Sequence, residues 1–321
     1  MGSAFFSRTS IKQLLGLALA IGYGVLIEVW LGWGKVLKPL LELPATLLLQ
    51  MLALLFLTYI VRALRLYSYF LQAIRGRFGL ALSLMLTHNV LNHLLPARLG
   101  EASLPMLLRQ HLNVDLLRGT ATLIWFRVLD LHCLLTVGLA VAALSVGAVV
   151  GLETFGQTLS GSGMFLLLGV FALSPLLLFM LLQRLKLSSS LPDTWIGRLL
   201  GQLLEGAPGN FPDFWLSWFW TWLTWLVKLA TLAWLLSGLL NISLVAGAVG
   251  VVGGELTAVL PVHAPGGFGT YPAGILAALL PFSVPADAAL AAAANTHLLL
   301  FSSALVSGAV GWLMLPKSKA K

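Results

Sequence analysis

Apolar residues run along this chain in long blocks rather than in one-sided stripes, the pattern of helices surrounded by lipid. A helix needs about 20 apolar residues to cross the hydrocarbon, and residues 13–33, 163–183, 213–236 and 286–315 meet that plainly. Two further blocks, 44–71 and 117–150, are long enough but carry Arg62, Arg65, Arg127 and Asp130, so those portions are expected to face protein or water. Six transmembrane helices are therefore predicted. A cleaved leader competes for the first, since Arg8 and Lys12 precede it and Ala18-Leu19-Ala20 mimics a cleavage site. The apolar run continues past Ala20 to Trp30 and Trp33, where an interfacial aromatic belt belongs, and this favours a retained span.

Two segments break the pattern. In 79–112, Pro96, Gly100 and Pro105 interrupt the apolar run, with Asn89, Asn92, His93, Arg98 and Glu101 between. In 241–281 the interruptions are Gly253-Gly254-Glu255, Leu260-Pro261, Pro265-Gly266-Gly267-Phe268-Gly269 and Pro272. Non-helical backbone survives at membrane depth only where it lines a cavity or is buried in protein. Each segment is therefore read as a re-entrant helical hairpin, although two kinked ordinary spans remain an alternative. The fold class expected is an all-α polytopic membrane protein with six spans and two oppositely oriented re-entrant hairpins, arranged as an inverted repeat. Interrupted segments at corresponding places in two halves point to a transporter with a midplane site. The halves are 1–187 and 213–321, joined by a connection at 188–212 that contains Ser188-Ser189-Ser190, two prolines and Gly209.

Composition excludes a soluble globule, because 59% of residues are hydrophobic and 9% charged, against about 25% charged in ordinary domains. The net charge of +8 is scattered without a basic stripe, which argues against nucleic acid and for orientation or anionic lipid. With the N-terminus in the cytoplasm, Arg8, Lys12, Arg75, Arg77, Arg184, Lys186, Arg198, Lys317, Lys319 and Lys321 all fall inside. Only Lys35 and Lys38 fall outside, and 151–162 and 238–285 contain no Lys or Arg. Both termini are thus expected on the cytoplasmic side of the membrane. A single cysteine, Cys133, excludes an intramolecular disulfide and Cys-rich metal sites, and is expected to pack among helices.

Eight charges fall at predicted membrane depth: Arg62, Arg65, Arg98, Glu101, Arg127, Asp130, Lys228 and Glu255. At ~2.5–3.5 kcal/mol each, exposing them to lipid would cost on the order of 20 kcal/mol, more than a domain's stability. They must pair or line a wet cavity. Arg127 and Asp130 are three apart and can meet on one helix face. Arg62 and Arg65 either snorkel to headgroups or present two guanidinium forks to an anion. Arg98 sits at the first break beside the amides of a new helix, suited to a phosphate, or else pairs with Glu101 to fasten the turn. Asn89, Asn92 and His93 share one helix face, either lining a path or binding neighbouring helices, while His88 lies off it. No carboxylate or cysteine completes a metal set around them, and no cofactor motif is present. Trp215, Trp218, Trp222 and Trp225 form one stripe, with Lys228 a turn beyond on nearly the same side.

Asn92 to Glu101 (Asn-His-Leu-Leu-Pro-Ala-Arg-Leu-Gly-Glu), Arg127-Val-Leu-Asp130 and Pro265-Gly-Gly-Phe-Gly269 together resemble the lysylphosphatidylglycerol synthase transmembrane-region family over nearly the whole chain. The resemblance implies lipid movement, as in flippases for aminoacylated or otherwise anionic phospholipids. Three departures stand out. No soluble aminoacyl-transferase domain follows the membrane region, so lipid aminoacylation is not expected. Pro272 stands where many relatives carry a glutamate, and His297 where they often carry an arginine, so both members of an ion pair that such relatives could form are missing.

Three functions compete. In the first, a membrane lipid flippase, Arg98, Arg62 and Arg127 hold the phosphate, and Asn89, Asn92, His93, Glu101, Glu255, Gly266 and Gly267 line the path. Glu101, Glu255 and His93 are the residues for ion coupling, since no nucleotide-binding loop is present. In the second the chain is a non-transporting scaffold for a lipid-synthesis enzyme. The third, a lipid-modifying enzyme, has little support: His111 and Asp115 lack the spacing of an acyltransferase box, and Gly161-Ser162-Gly163 lacks a nucleophile elbow.

Overall fold

The computed structural model describes residues 32–145, 161–187, 204–259, 267 and 269–316, with isolated positions among 25–29 and 194–201. Most of the expected first span, 13–33, and the stretch 188–193 of the connection therefore lie outside the described residues, as do Leu260, Pro261, Pro265, Gly266 and Phe268.

Among the described residues every regular element is helical. In chain order they are α1 (Trp33–Leu41), α2 (Ala45–Tyr69), α3 (Leu71–Ile74), α4 (Phe78–Leu94), a 3₁₀ turn (Pro96–Ala102) and α5 (Ser103–Leu112). Then follow α6 (Leu116–Ser145), α7 (Gly161–Leu187), α8 (Phe211–Leu240), α9 (Leu244–Val259), α10 (Thr270–Leu279), a second 3₁₀ turn (Leu280–Phe282) and α11 (Ala286–Met314). Five helices, α2, α6, α7, α8 and α11, are long and apolar enough to cross a membrane. This is a multi-pass membrane protein. The helix ends follow local chemistry: α8 starts at Asn210, whose Oδ1 accepts from the Asp213 amide at 2.8 Å, and stops at Asn241 in a left-handed conformation.

The first interrupted segment is helix, break, helix, the second has a helix on either side of 260–268, and in both the helices reach further into the segment than the sequence suggests. Leu95 is extended ahead of Pro96, which ends α4, and the chain re-forms a helix at Ser103. Pro105 does not break it, because it lies in the first turn of α5, where the missing N–H has no intrahelical partner to lose. Pro272 is likewise in the first turn of α10. Gly253-Gly254-Glu255 also proves helical, inside α9. Those glycines serve packing: a Cβ on Gly274 of α10 would lie 2.5 Å from the Gly253 carbonyl oxygen, so the two backbones touch directly. At the first break Gly100 rests against the Leu91–Asn92 backbone of α4, with no room for a side chain.

The helices pack in a regular way. α2 lies on α8, α4 on α11 and α9 on α6, while α2 and α8 also touch α4 and α9 in turn, and α5 and α10 touch α6 and α11. Two apolar clusters result. One gathers Leu66, Phe70, Leu84, Leu104, Leu108, Phe126, Leu129 and Phe214, and the other Met51, Leu55, Cys133, Trp225, Leu232, Tyr271, Ile275 and Ala293. Cys133 is buried in the second cluster, as its apolar surroundings in sequence suggest. The Trp stripe runs from exposed Trp215 to buried Trp225, so only its far end belongs to the core.

The close α9–α10 contact makes a specific demand. Gly274→Ala is expected to force the two helices apart and cost about 1–3 kcal/mol by overpacking, read as a lower melting temperature of the detergent-purified protein. An unchanged melting temperature would contradict the contact.

Candidate functional site

At the seam of the two apolar clusters α2, α4, α6 and α8 bring charged side chains together. Asp130 on α6 is buried, and both of its carboxylate oxygens are engaged. Oδ1 accepts from Arg65 Nη1 at 2.7 Å and Trp225 Nε1 at 3.2 Å, and Oδ2 accepts from Arg127 Nη1 at 3.2 Å. Arg65 adds a bond from Nη1 to Thr221 Oγ1 at 2.8 Å and lies over the Phe126 ring, 4.3 Å from its centroid. This corrects the snorkelling reading of Arg65: its side chain is held inside, linking α2 to α6 and α8.

Arg127 reaches in two directions. Besides its turn-spaced pair with Asp130, it grips Glu101 of the first break with Nε to Oε2 at 2.9 Å and Nη2 to Oε1 at 2.8 Å, a bidentate pair. Asn92 Nδ2 donates to the same Glu101 Oε1 at 3.4 Å. Glu101 is thus fastened by α6. The Arg98 side chain and Gly266 lie outside the described residues. Arg62 differs from its neighbours: its contact is a 3.4 Å bond from Nη1 to Asn89 Oδ1, and among the described residues no carboxylate lies within 4 Å of it.

On the other side, Lys228 of α8 pairs with Glu255 of α9 at 2.7 Å, and Tyr271 of α10 donates its hydroxyl to Glu255 Oε1 at 3.2 Å. Lys228 Nζ also sits 5.2 Å from the Trp225 ring centroid, on the side its spacing suggests. His297 of α11 stacks on Tyr271, with centroids 5.2 Å apart and planes at 26°. Pro272, next in sequence to Tyr271, sits in the first turn of α10 beside this stack. His93 donates from Nδ1 to the Asn89 carbonyl at 2.8 Å. His88 Nδ1 meets Ser103 Oγ at 2.8 Å, and because that hydroxyl donates to the Gly100 carbonyl at 2.6 Å, the imidazole is the donor.

These groups surround a cavity of about 550 Å³, within the range of sites for small ligands or headgroups. Of the candidates named from the sequence, Arg62, Asn89, Asn92, His93, Glu101, Arg127, Glu255 and Gly267 line it. Asp130, Trp225, Lys228, Tyr271 and His297 line it too, and sequence reasoning did not assign them to the site. Asp130 and Lys228 were visible as intramembrane charges; Tyr271 carried no signal, being an ordinary aromatic in an apolar run. Leu123, Ile124, Val128, Leu131 and Leu300 supply apolar wall, so the chamber has a charged side and an aliphatic side.

Residues 13–308 match the family described as the lysylphosphatidylglycerol synthase TM region. The chain belongs to that family. It is therefore a membrane protein of a lipid-related family, and two of the motifs that carried the resemblance, Asn92 to Glu101 and Arg127 to Asp130, supply part of the charged wall. No curated protein matches the chain significantly.

Asp130 carries the network. Asp130→Ala leaves Arg65 buried without its counter-charge, and a loss of about 3–5 kcal/mol is expected in thermal unfolding. Adding Arg65→Met should recover much of that loss, because the stranded charge is then gone; a double variant as unstable as the single one would assign the loss to packing alone.

Proposed function

We propose that this protein moves an anionic phospholipid, or another phosphate-bearing lipid, across the membrane, with the headgroup passing through the charged chamber and the acyl chains staying in lipid. The observation that carries the reading is Arg62: a guanidinium on the cavity wall whose charge is not met by any carboxylate of the described residues. Every other cation resolved on that wall is already paired. A phosphate supplies the missing partner, and the fork geometry of a guanidinium suits two of its oxygens. Arg127 adds any N–H that Glu101 and Asp130 leave over, and Arg98 at the break completes the phosphate-holding set inferred from sequence. The aliphatic wall suits the glycerol end of the acyl chains.

The proposed architecture is an inverted repeat of six spans with two re-entrant hairpins of opposite sense and both termini cytoplasmic. Packing supports it. Exchanging α2 with α8, α4 with α9, α5 with α10 and α6 with α11 turns the α4–α11 contact into α9–α6, α2–α4 into α8–α9, and α5–α6 into α10–α11, while α2–α8 maps onto itself. Two halves related in this way can rock about the α2–α8 contact and expose the site alternately. Glu101, Glu255 and His93 remain the proposed ion-coupling residues: protonating either carboxylate would loosen its salt bridge, whereas His93 keeps its bond to the Asn89 carbonyl in both protonation states. The role is transport rather than catalysis.

The test uses purified protein in liposomes containing a fluorescently labelled phosphatidylglycerol and a membrane-impermeant quencher. Protein-dependent quenching of inner-leaflet label is expected, slowed about tenfold or more by Arg62→Ala or Arg98→Ala at equal reconstitution, as loss of one charged hydrogen bond implies. Label access equal to that of protein-free vesicles would leave the chain a non-transporting accessory of a lipid-synthesis enzyme.

A further inference from the structure

Sharing Arg62, Asn89, Arg127 and Asp130 with the main cavity, a smaller recess of about 20 Å³ lies among α2, α4, α5 and α6, room for one water-sized or halide-sized particle. Its polar wall is unbalanced. Three guanidiniums, Arg62, Arg65 and Arg127, face one carboxylate, Asp130, and that carboxylate already accepts from Arg65, Arg127 and Trp225. Glu101 meets Arg127 from the cavity side, leaving one unmatched positive charge among the described residues. Two buried donors on this wall, Asn89 Nδ2 and Arg65 Nε, find no hydrogen-bond partner there, and Asn89 is only 5% exposed. Asn89 turns its Oδ1 to Arg62 and its NH₂ lies near the Tyr59 hydroxyl without a formed bond, so of its two hydrogens at least one is left for a further acceptor.

A buried donor without an acceptor is costly, and a buried cation without a counter-charge more so. A water molecule would satisfy donors but leave the charge. We propose that the recess is a binding site for one small monatomic anion of the chloride class, held by Arg62 and Asn89 with Arg65 Nε behind. The anion neutralises Arg62 between headgroups, so the chamber need not carry an uncompensated charge when no lipid is bound. Tetrahedral phosphate exceeds the recess and belongs to the main cavity. The site shares Arg62 with the proposed headgroup path, yet it forms without lipid and can be tested without it.

The test is made on the full chain in neutral detergent, exchanged into gluconate at constant ionic strength. Titrating chloride or bromide is expected to raise the melting temperature saturably, by about 2–4 °C. Bromide should give an anomalous scattering peak against Arg62 and Asn89 in crystals. Asn89→Asp places a carboxylate beside Arg62, and is expected to remove the halide dependence while keeping the protein stable in gluconate. Arg62→Met should remove it as well; should that variant fail to fold, the aspartate variant still decides. A shift that gluconate reproduces, that inorganic phosphate reproduces with the same midpoint, or that persists in Asn89→Asp overturns the assignment, as does a bromide peak elsewhere. Halide binding with no lipid movement in liposomes would refute the transport reading and leave this site intact.

Discussion

One buried carboxylate organises this molecule. Asp130 draws Arg65 from α2, Arg127 from its own helix and the Trp225 indole from α8 to two oxygens, in surroundings where each would otherwise be stranded. The cost of burying these charges separately is far above what the surrounding apolar contacts return, so the arrangement is effectively all or none. Its consequence is positional more than energetic. Because Asp130 fixes the Arg127 guanidinium from one side, Arg127 can clamp Glu101 from the other, and the broken backbone between α4 and α5 is tied to the rigid α6 span. Gly100 then lets that break lie flat on α4.

The sequence made the large features legible because the solvent is lipid. In such a medium a block of apolar residues has few alternatives to a helix, so the bounds of α2, α6, α8 and α11 follow closely from hydropathy. Proline was less informative than its reputation. Pro96 ends a helix, yet Pro105 and Pro272 begin theirs, and which applies depends on where the preceding helix has already stopped. Glycine misled for a related reason: Gly253 and Gly254 resemble a break in one dimension and are a packing surface in three.

At the site, charge was legible and partnership was not. The intramembrane charges whose side chains the structure describes, Arg62, Arg65, Glu101, Arg127, Asp130, Lys228 and Glu255, all line the chamber or its recess, which follows from the penalty for placing them in lipid. The pairing across helices depends on rotation and depth, which periodicity gives only to within a turn. Thus the Arg127–Asp130 link, local on one helix, could be read off its spacing. The Arg65–Asp130 link, 65 positions apart, could not, and neither could the role of Tyr271 as a donor to Glu255.

The two ends of the chamber differ in a way that bears on how it works. Toward the first break the link between broken segment and following span is ionic, Glu101 to Arg127; toward the second, the corresponding link is a stack of Tyr271 on His297. An ion pair holds by directional charge-assisted bonds and resists separation strongly in a low dielectric, whereas ring stacking contributes about 0.5–1.5 kcal/mol beyond its burial and tolerates sliding. Halves fastened so unequally do not open with equal ease. Under the transport reading, the side bounded by α10 and α11 is the one that yields first, and Glu255, held by Lys228 and Tyr271 on that same side, is the carboxylate placed to feel the movement.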